Sequence, residues 1–209
     1  MRVNLFERRG FPLFIGFLVG VAAVAAGIAA GGSPAEQAEL AARWTARAAL
    51  PMFLATYLAS SLYRLNPTDT TRGILRRRRQ WGLGFALTHT IHLAALLVNI
   101  LVFAPRTFAS LIPGGFAYVM IYIMALTSND ASVRALGKNW KRLHSFGIHY
   151  IWLIYTAAYS TRIFKPETMT AGLAFAPLLF AALGLRLYVR FGRGRSSSSS
   201  SSPPVFQSE

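Results

Sequence analysis

The chain has four histidines, His89, His92, His144 and His149, and all four fall inside long uncharged runs. An ionisable side chain in an apolar span is expensive to keep unless it is used, so each marks a candidate functional position. Imidazole is a principal axial ligand of haem iron. Two histidine-bearing runs separated by one plain run could hold a haem between helices, with an imidazole on each side.

His89 and His92 are three residues apart, about 60° around a helix, and share a face. His144 and His149 are five apart, about 140° around, and do not serve one iron together. Taking Trp81 and Trp140 as interface anchors, His89 and His149 both lie roughly 12–14 Å into their helices, with His92 deeper and His144 shallower. Depth therefore pairs His149 with His89 first and with His92 next. His144 is left as a second-site ligand or a propionate partner. Arg79, Lys141 and Arg142, near the same end, are candidate propionate partners, since arginine binds carboxylates in bidentate fashion. The bland reading is that the histidines bond neighbouring helices, with Thr88, Thr90 and Ser145 as partners. No Asp or Glu lies within a run, which excludes a hard-metal site and removes the usual proton carrier. Asn99 is polar but solitary, and Gly114-Gly115 reads as a loop-to-helix entry.

These residues must be positioned by membrane helices. Apolar residues make up 54% of the 209-residue chain and charged residues 14%, and the apolar residues come in blocks. Six uncharged stretches are candidate spans: Phe11–Ala30, Ala48–Tyr63, Gln80–Pro105, Thr107–Asn129, Leu143–Thr161 and Thr168–Leu185. The first is longer than the apolar core of a signal peptide, about 7–15 residues, and reads as a retained helix. With the N-terminus inside, the inner segments hold 17 of the 22 Lys and Arg residues. This is a positive-inside pattern with both termini cytoplasmic. The net charge of +15 is a membrane-surface feature, because no aromatic-rich soluble segment exists to bind nucleic acid. The absence of cysteine excludes disulfides and iron–sulfur ligation. No Gly-rich phosphate loop is present, so the chain brings no flavin or nucleotide domain. The organisation expected is a cytoplasmic segment 1–10, a six-helix domain 11–190 and a disordered Ser-rich tail 191–209.

Several ordered motifs resemble the ferric reductase-like transmembrane family. Within it they are nearest the branch with the haem-binding membrane subunit of the bacterial periplasmic methionine sulfoxide reductase system (the MsrQ/YedZ branch). They are the basic run with Trp81-Gly82-Leu83 and the helical His92 that follows; Ala125-Leu126-Thr127-Ser128-Asn129-Asp130; Leu136-Gly137; and Trp140-Lys141-Arg142-Leu143-His144. Together they run from about Ala46 to about Thr161, and His144 matches a family histidine. Where the family carries a further histidine on that helix this chain has Ala157, and His89 and His149 stand at other positions than the family's. The resemblance implies b-type haem, one or two per chain, and electron transfer across a bacterial inner membrane. It also implies a flavin or quinone donor, through a partner reductase, and a periplasmic or membrane redox partner that does the substrate chemistry. The expectation is an all-α integral membrane bundle of six spans that acts as a haem b electron-transfer subunit. The alternative is a non-redox transporter or assembly factor whose histidines pack or handle protons.

Overall fold

The computed structural model describes residues 10–192, and among them only helices and turns occur. The basic N-terminal segment and nearly all of the Ser-rich tail, at residues 1–9 and 193–209, lie outside the described residues. Six helices are long: α1 (Phe11–Ala30), α2 (Pro34–Leu65), α4 (Arg78–Val98), α5 (Phe108–Leu126), α7 (Lys138–Arg162) and α8 (Met169–Phe191). Two are short connectors, α3 (Asp69–Arg76) and α6 (Asp130–Leu136). A π-helical turn, Asn99–Phe103, extends α4.

The boundaries follow from local chemistry. Ser33 opens α2 with a capping box: its hydroxyl accepts from the Glu36 N–H at 3.3 Å, and the Glu36 carboxylate accepts from the Ser33 N–H at 3.0 Å. The backbone N–H groups of Ser33 and Gly32, both donating to it, hold the Glu36 carboxyl below the ordinary carboxylate range. Thr68 caps α3, and the Asn129 side chain caps α6 by accepting from the Ser132 N–H at 2.8 Å. Gly137 stands between α6 and α7 with φ +49°, a conformation that side chains with a Cβ resist. Asp130 bonds Arg79 at 2.7 Å, which ties α6 to the start of α4 and lowers the pKa of the Asp130 carboxyl.

Helices α1, α2 and α4 pack closely. A Cβ placed on Gly84 would lie 2.4 Å from the Pro12 carbonyl oxygen, so α1 and α4 touch backbone to backbone. Thr88 reinforces the contact by donating to the Gly16 carbonyl at 2.8 Å. Helices α5, α7 and α8 form a second group, joined to the first through α2 and α4. The core lies on α2, where Leu50, Phe53 and Tyr57 are fully buried. Phe53 stacks between Tyr57 and Tyr155, each at 5.4 Å, and meets Phe85 at 5.5 Å.

Each stretch expected to span lies mostly within a helix, but four helices, not six, combine the length and apolar composition needed to cross a membrane. They are α1, α4 with its π turn, α5, and α8 with the short 3-10 turn before it. α2 and α7 are long enough but carry polar ends. α2 begins fourteen residues before the expected Ala48 and includes Glu36, Glu39, Arg43 and Arg47, whereas α7 begins with Lys138, Lys141 and Arg142. Gly114-Gly115 lies inside α5 and is no loop entry. Trp81 is no surface anchor either: it is buried in the core with its ring edge against Phe11 at 6.4 Å.

Candidate functional site

A cavity of about 610 Å³ lies between α2, α4, α5 and α7. Its α4 wall carries both His89 and His92, whose rings are 5.3 Å apart. α5 contributes Tyr118, and α7 contributes Tyr155 and Tyr159. Buried Asn99, the first residue of the π turn, lines it too. π-Helical turns recur at functional positions. The mouth opens at the end of the bundle with the 104–107 and 163–168 connections, where Arg43, Arg106, Arg162 and Lys165 stand with Glu39 and Glu167. Arg43 is ion-paired with Glu39.

The hydrogen bonds favour one tautomer of His92. The Thr45 hydroxyl has one proton, and the Ala41 and Ala42 carbonyls lie 2.7 and 3.1 Å from its oxygen. The same oxygen lies 3.0 Å from His92 Nδ1 and, with its proton on a helix carbonyl, accepts there. His92 Nδ1 therefore carries the proton, and Nε2 keeps its lone pair. A hydrogen bond on one nitrogen with a lone pair on the other is the arrangement of a ligating imidazole.

His89 is buried among rings, 4.5 Å from Phe85 and 5.7 Å from both Tyr118 and Tyr155. Its Nδ1 has no hydrogen-bond partner, and neither do the Tyr118 and Tyr159 hydroxyls. All three residues line the cavity, and each of these atoms is itself buried, where an unpaired polar group costs about 1–3 kcal/mol.

The other two histidines are elsewhere. His144 stacks on Trp140 at 4.0 Å and lines a second cavity of about 460 Å³ at the opposite end of the bundle. Its Nε2 is hydrogen-bonded to the Thr127 hydroxyl at 3.0 Å, an oxygen that also lies 2.7 Å from the Ile123 carbonyl. His149 Nδ1 donates to the Ser145 carbonyl at 2.6 Å, and its ring lines an open groove beside α8. The pairing of His149 with His89 or His92 expected from depth does not occur in a shared cavity. Gly147 faces Met124 of α5, and two residues on, about 200° around the helix, His149 is turned away. Arg79 and Lys141 line the second cavity and Arg142 the groove, so none of the three stands near His89 and His92. Among the described residues no group of three or more His, Asp or Glu converges as a metal site.

Two features of the first cavity suit a group that carries both iron and carboxylates: a histidine held by a hydrogen bond across helices, and guanidinium and ammonium groups at its mouth. Both imidazoles lie on one wall, and tyrosines stand on the α5 and α7 walls. Thr45, Tyr118, Tyr159 and the mouth cations escaped the sequence reading. The one sequence signal for them was the Tyr155, Tyr159 spacing of four, which sets both on one face of α7. No family model matches this chain, and no solved structure matches it.

Proposed function

We propose that the protein is a haem b-binding membrane electron-transfer subunit, with the haem in the tyrosine-walled cavity and His92 Nε2 as its iron ligand. The observation that carries this is the hydrogen bond across helices between His92 Nδ1 and the Thr45 hydroxyl, on the wall of a cavity with cations at its mouth. Haem, when bound, supplies a one-electron carrier. Thr45 orients the imidazole, the aromatic walls of Phe85, Tyr118 and Tyr155 exclude water, and Arg43, Arg106, Arg162 and Lys165 receive the propionates. Phe53, Phe85 and His89 follow one another at 5.5 and 4.5 Å, linking the second cavity to the first by closely spaced rings.

In this reading α2 and α7 also cross the membrane, giving six spans. Their polar residues Thr45, Ser61 and Thr156 are buried inside the bundle. Both termini are cytoplasmic by the charge bias, in a bacterial inner membrane. The cavity mouth then faces outward, towards an acceptor or a partner reductase. A quinone or a flavin reductase donates from the other side.

Purified from cells supplied with haem, the protein should show a Soret band and a reduced-minus-oxidised α band, with one haem per chain. A folded, colourless protein that takes up no added hemin would overturn the reading and leave the non-redox alternative. Thr45→Val keeps the side-chain volume but removes the acceptor for His92 Nδ1–H. It should weaken haem retention by about 10–100-fold while the fold persists, the range usual for outer-shell partners of ligating histidines; haem transfer to apomyoglobin measures it. Unchanged retention would remove Thr45 from the site.

A further inference from the structure

The second cavity holds two guanidiniums, those of Arg78 and Arg186, that make no ion pair among the described residues. Arg78, at the start of α4, donates through Nε to the Thr56 carbonyl at 2.9 Å. Arg186, on α8, donates through Nη1 to the next carbonyl, that of Tyr57, at 2.5 Å, and its guanidinium lies 4.2 Å over the Tyr57 ring. Both are partly buried and both line the cavity. Neither makes an ion pair among the described residues, and no Asp or Glu lines this cavity. The nearby Asp130 is taken by Arg79. Two guanidiniums drawn to adjacent carbonyls repel each other, and each keeps several N–H donors in hand. A counter-anion between two partly desolvated like charges relieves their repulsion. Deeper in, the wall becomes apolar, with Phe53, Phe85, Met124 and Ile148.

We infer that this cavity is a binding site for a phosphate group carried on an apolar body, with Arg78 and Arg186 as its bidentate anchors. Guanidinium forks match phosphate oxygens geometrically, and basic pockets between membrane helices take anionic lipid headgroups. The source of the phosphate is a phospholipid headgroup or free phosphate, and the apolar wall favours the lipid. The site stands apart from the histidine cavity: Ile121 and Ile151 line both and form the partition.

The test is a titration of the full-length protein in neutral detergent, followed by the fluorescence of Trp140, which lines the cavity. The probes are dioctanoyl phosphatidylglycerol, dioctanoyl phosphatidylcholine and inorganic phosphate. Phosphatidylglycerol should bind saturably and at least tenfold more tightly than phosphatidylcholine. Arg78→Gln and Arg186→Gln should each weaken it about tenfold, whereas Arg72→Gln, an exposed charge change on α3, should leave it within twofold. Phosphate binding as tightly, with the same variant pattern, supports the anion site with a soluble source. Equal binding of the two lipids by the wild-type protein overturns the proposal, even if a variant fails to fold. So does equal weakening by Arg72→Gln. Loss of haem instead of lipid binding in Arg186→Gln also overturns it, because the cavity would then serve propionates.

Discussion

His92→Ala is expected to remove most of the bound haem, by more than the roughly 10–100-fold seen when only an outer-shell partner is lost. Of the four imidazoles, only that of His92 both lines the first cavity and has its other nitrogen tied by a hydrogen bond across helices. His89→Ala should keep part of the haem and shift its absorption, since His89 is a wall of the cavity with an unpartnered Nδ1. His149→Ala should keep the haem, because that ring lies in the groove beside α8. His144→Ala should do the same for the haem of this cavity, since His144 is in the second cavity. The measurement is haem per chain by pyridine haemochrome, with the spectrum of each variant. Exogenous imidazole should restore the His92→Ala spectrum, which separates loss of a ligand from loss of the fold. Full haem in His92→Ala, together with its loss in His149→Ala, would return the iron to the pairing read from depth.

Gly84→Leu is expected to destabilise the bundle by about 3 kcal/mol or more, the upper end of what overpacking costs. Its first added atom would sit 2.4 Å from the Pro12 carbonyl and 2.7 Å from the Met52 methyl. The methyl can move, but the carbonyl belongs to the α1 backbone, so α1 must leave α4 and the Thr88 bond to Gly16 breaks with it. Removing a helical glycine returns only about 1 kcal/mol. Gly184→Leu makes the same propensity change where nothing lies within 4 Å of the added Cβ, and should be tolerated. Thermal midpoints in one detergent compare the two. Equal midpoints would show that the α1–α4 contact is not close in solution.

Much of the fold was legible because apolar blocks and basic clusters are properties of contiguous sequence. The helix positions follow from them, and so does the shared face of His89 and His92. The span count was less legible, since mean composition depends on the polar ends of α2 and α7, and the uncharged run in α2 hid that the helix continues to Pro34. The site was legible only in part, for a physical reason. Counting residues from an anchor gives a position along the helix axis but not its rotation, and rotation is set by packing. Gly147 against Met124 sets it for α7 and turns His149 away from the first cavity, against Tyr57 at 5.7 Å. Ser145, named among the expected partners, does bond His149 through its carbonyl, but the partners of His92 and His144, distant in sequence, were out of reach. Thr45 is 47 residues from His92, and Thr127 is 17 from His144. The nearby Thr88 and Thr90, which a local reading favours, turn their hydroxyls to backbone carbonyls instead.

Both cavities lie where the α1–α2–α4 group meets the α5–α7–α8 group. That seam makes the ligand-free protein the compressible form. Voids eliminated on unfolding reduce the volume of the system, so hydrostatic pressure drives the empty bundle apart at its seam. A ligand that occupies the voids removes that volume term. Filling the cavities and squeezing the protein are then opposite perturbations of the same empty space.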